Sequence, residues 1–376
     1  MTFSSNYQKK QTLPLRTYYF MLTPAETRRY DRHLRLPEIG SEGQEKLKAA
    51  RVLVVGCGGL GCPVLQYLAA AGVGTLGLLD HDTVDETNLQ RQVLYATTDV
   101  GRPKAEAAAE KLRAQNPLIV VQPLRVRLSA ANALKIMADY DVVVDCTDNF
   151  ATRYLVNDAC VLLGKPLVFG AIFKFEGQVS VFNYKGGPTY RCLFAQPPAP
   201  GEAPSCNEIG VLGVLPGIIG TLQASEALKV ILGVGEVLSG RLLVFDALYM
   251  QFRTLRFQAV PGNQQLTALV DYDQFCGDAP TDAVPEISAD ELRRKLQAQE
   301  PLQLLDVREP HEHAARHIGG RLIPLGQLAA ALPSFSPEVP IVVHCASGKR
   351  SRQAAELLLA YGFQKVASLR NGLNDW

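Results

Sequence analysis

The stretch that most constrains this chain is Arg51 to Asp82, RVLVVGCGGLGCPVLQYLAAAGVGTLGLLDHD. Val52–Val55 is an apolar run of the length of a buried strand, and Thr75–Leu79 is a second one. Between them lie the turn Gly56-Cys57-Gly58-Gly59-Leu60-Gly61 and Pro63–Ala71, which has helical character. Strand, glycine turn, helix, strand and terminal acid are the first half of a doubly wound nucleotide-binding fold. Glycines let the backbone turn tightly and approach a phosphate, and the helix N-terminus adds partial positive charge. Asp80 lies 19 residues past Gly61, near the spacing of an acid that bonds a ribose hydroxyl. The glycine turn alone also admits a bare tight turn, and does not say which nucleotide binds.

Length and charge set the outer bounds. A chain of 376 residues holds roughly two or three domains. Its net charge of +1 makes no case for nucleic acid or a membrane surface as a partner. The uncharged stretch Ile209–Ser225 is 17 residues long and interrupted by Pro216, too short and broken for a spanning helix, so it reads as core or subunit interface. Eight cysteines are scattered along a chain too long to need disulfide staples, and no secretory signal is visible; the expected compartment is the reducing cytoplasm. Residues 1–22 show no period and are expected to be a disordered extension, with Met21 an alternative start.

Thr23-Pro24-Ala25-Glu26 is a capped helix start, and the helix carries Arg28, Arg29 and Arg32. These form a solvated face, or one of them reaches a phosphate with its planar fork. After Asp80-His81-Asp82 come Asn88-Leu89-Gln90-Arg91-Gln92 and Gly101-Arg102-Pro103-Lys104, with a helix over Lys104–Ala114. A lysine at a helix start opposes the dipole and so invites an anionic partner. Ile119–Pro123 and Asp141–Asp145 are strands flanking a helix over Asn132–Asp139, and the second ends in Asp148-Asn149. Polar groups beyond a parallel strand's carboxyl end sit where doubly wound folds bind ligands. Asp148 could hold magnesium and Asn149 the nucleotide; a plain turn with a helix cap is the alternative.

Leu167–Ala171 and Gln178–Tyr184 are strand-like, and a segment with four prolines, Ala195–Ser205, then leads to Cys206. Such a segment is extended and leaves Cys206 exposed, whereas Cys146 and Cys160 fall in apolar runs. Gly217–Leu232 is an apolar helix, and Leu242–Phe245 and Phe252–Phe257 are strand-like. A linker over 278–285 precedes a second domain at 286–376. There Leu302–Val307 is one strand and Ile341–His344 another, delivering Cys345 into Ala346-Ser347-Gly348-Lys349-Arg350-Ser351 and a helix to Tyr361. A cysteine at a strand end, beside two cations and a helix N-terminus, reads as a reactive thiolate rather than a structural thiol.

RYDRHLRLPEIG, GCGGLG, LLDHDTVDETNLQRQ, GRPKA, DCTDNFATRYLVND and GVLGVLPGIIG, in that order, resemble the MoeB/ThiF family, relatives of ubiquitin-activating enzymes, over residues 23–277. LLDVREPHEHAARHIGG, HCASGKRS and NGLNDW resemble a rhodanese domain. The loop also resembles that of cysteine phosphatases, but only Ala346–Lys349 separates Cys345 from Arg350, one residue fewer, which favours a sulfur atom over a phosphate. The implied fold is α/β: a doubly wound Rossmann-like domain of the ubiquitin-activating type, followed by a smaller α/β rhodanese domain.

The resemblance implies that ATP adenylates the C-terminal glycine of a small ubiquitin-like sulfur carrier ending in Gly-Gly. It places Gly56, Gly58, Gly59, Gly61, Asp80, Asp82, Thr87, Asn88, Leu89, Gln90, Arg91, Lys104, Asp148 and Asn149 around the nucleotide. Asp80 takes the ribose; Asn88, Arg91 and Lys104 take the phosphates; Asp148 takes Mg2+. Arg32 corresponds to an arginine supplied across a homodimer interface. Cys345 carries a persulfide loaded by a donor such as a cysteine desulfurase or thiosulfate. Cys206 forms an acyl-persulfide or thioester intermediate. The family's structural zinc uses two Cys-x-x-Cys pairs; here Thr189-Tyr190-Arg191-Cys192 and Asp273-Gln274-Phe275-Cys276 keep only Cys192 and Cys276. A closed site wants four good ligands, so zinc is not expected and packing is expected to replace it. The carrier pathway (molybdopterin, thiamine, cysteine or tRNA thiolation) stays open. Two other readings are an NAD-dependent oxidoreductase with an accessory sulfurtransferase domain, which leaves Arg91, Lys104 and Cys345 without purpose, and a carrier-docking scaffold without chemistry.

Overall fold

Five consecutive residues of β1 (Arg51–Val55) pair in parallel with β2 (Thr75–Leu79), from Arg51 opposite Thr75 to Val55 opposite Leu79. Every residue of β2 is buried, as expected of a strand covered on both faces. β3 (Val120–Leu124) and β4 (Val142–Asp145) extend the parallel sheet. β5 (Leu167–Phe173) adds one more parallel strand. β6 (Glu176–Phe182), β7 (Arg241–Asp246) and β8 (Gln251–Arg256) then follow as an antiparallel meander, giving the order β3-β2-β1-β4-β5-β6-β7-β8. The computed structural model describes residues 21–198, 210–276 and 284–376, and the chain divides into the units Met1–Asp278 and Ala279–Trp376. The expectations for residues 1–20, for Cys206 and for the linker at 278–283 lie outside the described residues.

The glycine turn after β1 is fixed by backbone. Gly56 has φ +95°, and a Cβ on Gly61 would lie 2.0 Å from the Gly56 carbonyl oxygen. The helix that follows starts at Gly61 itself and runs to Ala71, two residues earlier than its apolar pattern announces. Leu215–Leu232 is long and apolar enough to cross a membrane by length and composition, but half of it is buried. It packs on the Gly61–Ala71 helix and on β5 and β6, as a core helix. Its Gln223, wholly buried, donates to the Asp145 carbonyl at the end of β4. Cys57, Cys62, Cys146 and Cys160 are buried in this unit, and burial raises each thiol's pKa, that of Cys62 to about 12.

Where the family pattern would tie two loops with zinc, side chains do so here. Arg191 donates to both oxygens of the buried Asp158 at 2.8 and 2.7 Å, and Tyr272 donates to the same carboxylate at 2.7 Å. The Arg191 guanidinium also lies over the Phe275 ring. Cys192 Sγ accepts from the backbone of Thr189 and Val260; Asp273 pairs with Arg127. Two thiols with an ion-paired carboxylate and a threonine do not fit a closed four-ligand site.

The second unit is a five-stranded parallel sheet. β9 (Glu286–Ile287), β10 (Gln303–Asp306), β11 (Arg321–Leu322), β12 (Ile341–His344) and β13 (Val366–Leu369) lie in the order β11-β10-β12-β13-β9. At the ends of β10 and β12 sits a buried charged group. Arg308, 4% exposed, grips Asp306 through Nε and Nη2 at 2.9 and 2.6 Å, and His313 adds Nδ1 at 2.9 Å. Burial pushes the Asp306 carboxyl up, but the bonds from Arg308 and His313 outweigh it and bring the pKa to about 2. His344 is wholly buried, and that desolvation lowers its pKa to about 4.

Two outcomes are expected. Gly61→Ala should cost about 1–3 kcal/mol or more of stability, because its Cβ meets backbone that cannot step aside; a chemical-denaturation midpoint measures it. For His344, the unfolded imidazole binds protons near pH 6.5 and the folded one only near 4. Stability of the second unit should therefore fall as pH drops through this window. Trp376, the single tryptophan, reports it by fluorescence, and His344→Asn should flatten the slope.

Candidate active sites

A cavity of about 240 Å³ opens beyond the carboxyl ends of the parallel strands of the first unit, lined by Asp82, Asn88, Arg91, Gln92, Lys104 and Asp148, with Thr83 and Asp85. Of the residues expected around a nucleotide, Asp82, Asn88, Arg91, Lys104 and Asp148 meet here. Lys104 is 7% exposed at the first position of the helix Lys104–Gln115. Its ammonium opposes the helix dipole and is balanced by the Asp82 carboxylate at 3.1 Å. Arg91 Nη1 donates to the Thr87 carbonyl at 3.1 Å, and the Asp85 and Asn88 side chains close the turn between them.

Asp80, Gly58, Gly59, Leu89, Gln90, Asn149 and Arg32 do not line this cavity. Asp80 is buried, and its two oxygens accept from the backbone N–H groups of Cys57 and Asp82, each at 2.8 Å; burial raises its pKa. A carboxylate with both oxygens so engaged keeps lone pairs for further donors. Gly58 and Gly59 lie in the turn, and Leu89 and Gln90 flank Arg91; Gln90 packs against the Gly213 backbone. Asn149 caps the helix Phe150–Leu163 by accepting from Thr152 N–H at 2.9 Å. The Arg32 side chain is 85% exposed and contacts Asp31 at 3.4 Å.

Sequence reasoning stopped one residue short in the run from Asn88. Gln92 lines the cavity while 4% exposed, and its Oε1 has no hydrogen-bond partner. A buried acceptor facing a cavity is satisfied by a donor on whatever fills it. Its spacing of one helical turn from Asn88 was the available signal. Asp85 and Thr83 carried none beyond their place between Asp82 and Asn88.

In the second unit, β12 delivers Cys345 into a loop that ends at the helix Lys349–Ala360. Gly348, with φ +87°, turns its N–H onto Cys345 Sγ at 3.2 Å. Ser351 Oγ stands 3.6 Å from the sulfur. Arg350 does not face the sulfur alone: it forms a fork on Glu312, two bonds of 2.7 Å, which pull the Glu312 pKa down to about 2. The loop's exposed cation is Lys349. An anion-binding backbone turn beneath a cysteine suits a sulfur that carries charge as a thiolate or persulfide.

Each unit matches a known family. Residues 30–266 match the ThiF family and residues 288–376 the rhodanese-like domain. The probable adenylyltransferase/sulfurtransferase MoeZ of Mycobacterium tuberculosis is 47% identical over 94% of this chain and 94% of its own. The adenylyltransferase and sulfurtransferase MOCS3 of Bos taurus is 44% identical over 94% of this chain and 86% of its own. A sulfur carrier protein adenylyltransferase of Thermus thermophilus is 56% identical over 68% of this chain and 98% of its own. Among solved structures, E. coli MccB superposes with a TM-score of 0.56 at 23% identity, over 63% of this chain and 73% of that one, a likeness of fold. The chain belongs to the ThiF family and carries a rhodanese-like domain at residues 288–376.

Proposed function

We propose that this chain adenylates the C-terminal glycine of a small ubiquitin-like sulfur carrier with ATP and then transfers sulfur to it from Cys345. The observation that carries the reading is the cavity holding Lys104, Arg91 and Asn88 beside the carboxylates of Asp82 and Asp148, on the same chain as the Cys345 loop. A carboxylate oxygen of the carrier attacks the α-phosphorus, the bond to the β-phosphate oxygen breaks, and pyrophosphate leaves with the electron pair. The carboxylate is already ionised, so no base is needed. What the step needs is cations placed where two anions meet, which Lys104 and Arg91 supply. Asp82 and Asp148 offer hard oxygen donors of the kind Mg2+ takes; bound there, the ion would neutralise phosphate charge. The buried acceptor of Gln92 and the carboxylate of Asp80 suit adenosine hydroxyl or amino donors.

The outer sulfur of a Cys345 persulfide then attacks the acyl carbon and AMP leaves with the pair, giving an acyl disulfide. Release of the thiocarboxylate requires a second thiolate, such as a small-molecule thiol, to attack Cys345 Sγ and leave a disulfide; Cys206 is our candidate for an acyl-persulfide or thioester intermediate. We further propose a cytoplasmic homodimer in which the exposed Arg32 serves the second copy's nucleotide, with a desulfurase persulfide or thiosulfate as sulfur source. Molybdopterin, thiamine, cysteine and tRNA thiolation carriers are the substrates to try.

Lys104→Ala and Asp148→Ala should each lower carrier-dependent ATP–pyrophosphate exchange by about 10²-fold or more, with unchanged exchange refuting the adenylation site. Intact mass spectrometry of carriers treated with enzyme, Mg-ATP and thiosulfate should show a sulfur-for-oxygen gain with the wild type and none with Cys345→Ala. Thiocarboxylate formed by Cys345→Ala would place sulfur transfer elsewhere.

A further inference from the structure

The loop that holds Cys345 rests on a chain of hydroxyls reaching a strand outside the loop. Ser351 is wholly buried and Ser368, on β13, is 2% exposed. Ser368 Oγ donates to Ser351 Oγ at 2.9 Å. Ser351 Oγ donates to the Gly348 carbonyl at 3.1 Å and meets Cys345 Sγ at 3.6 Å. The hydrogens can be counted. With a neutral thiol, Cys345 donates to Ser351, Ser351 to Gly348, and Ser368 fills the second lone pair of Ser351. When the sulfur loses its proton, or carries a second sulfur, it has nothing to donate. The single Ser351 hydrogen can then turn from Gly348 to Sγ. It does so as a stronger donor because Ser368 still donates to the same oxygen, since chained hydrogen bonds polarise one another.

We propose that Ser368 is a positioning residue for sulfur transfer, acting through Ser351 to keep a hydroxyl hydrogen available to Cys345 Sγ. The inference rests on Cys345 being the sulfur-bearing residue. In loading, the Cys345 thiolate attacks the outer sulfur of the donor. A new S–S bond forms, the donor's own bond to that sulfur breaks, and the donor leaves with the electron pair; from thiosulfate the product is sulfite. Ser351 would steady the sulfur before attack, and Ser368 would hold Ser351 in the rotamer that does so. Ser368 touches neither the sulfur nor the donor, so removing it should weaken the thiolate without abolishing it.

The test uses the full-length protein with Ser368→Thr, which keeps the hydroxyl, and Ser368→Val, which has the same branched shape as Thr without it. Cys345 alkylation by iodoacetamide is followed by peptide mass spectrometry across pH, and sulfur loading from thiosulfate by intact mass. Ser368→Val should slow both by about three- to tenfold at neutral pH and move the alkylation profile to higher pH, while Ser368→Thr stays near the wild type. Carrier-dependent pyrophosphate exchange should be the same in all three. Equal profiles for Val and wild type, or equal slowing by Val and Thr, would overturn the role of Ser368. Sulfur loading that survives in Cys345→Ser would instead overturn the reading on which it rests.

Discussion

One buried carboxylate organises the nucleotide half of the molecule. Asp80 follows β2 and reaches back to the N–H of Cys57, the second residue of the glycine turn after β1, while its other oxygen takes the N–H of Asp82. Two parallel strands are thereby joined at their carboxyl ends by an acceptor that water cannot replace. The turn's shape, the start of the Gly61–Ala71 helix and the direction in which Asp82 meets Lys104 all follow from that clamp. Burial makes the charged form of Asp80 costly, and the ammonium of Lys104 lies near enough to offset part of the cost. The arrangement is a ring of fixed charges and dipoles around a polar hollow, which is what transfer between anionic groups requires.

Much of this was legible in the residues because local pattern and global fold agree there. The β1–β2 unit needs continuous apolar strands, glycine where φ is positive and an acid at the end, and each is visible in the sequence. The Cys345 loop was legible for the same reason: a strand, a cysteine and a helix start define an anion-binding turn without long-range help. What escaped depended on distant packing. The antiparallel run of β6, β7 and β8 has no signature separating it from further parallel strands. Asn149 gives its side chain to a helix cap, a competition that composition cannot decide. Gln92 matters only because the chain buries it beside a cavity, and Ser368 only because β13 passes beneath the loop.

Two loops of the first unit are held together by side chains that share one carboxylate. Arg191 and Tyr272 come from the two segments that would each bring a thiol pair, and both meet on Asp158 of the helix Phe150–Leu163. An arginine fork, a phenol and the cation–π contact of the guanidinium on Phe275 satisfy one another in a partly dry site. Breaking such a buried pair from one side leaves a charge without a partner, so these residues are tied together as strictly as ligands of an ion.

A protein that carries sulfane sulfur must keep that sulfur from wandering onto its own thiols. Exchange needs an attacking thiolate and access to it. Cys57, Cys62, Cys146 and Cys160 have neither, because the core that surrounds them also holds their protons on. The apolar packing of the first unit thus does more than stabilise a sheet: it keeps these four thiols from drawing sulfur off into dead-end polysulfides.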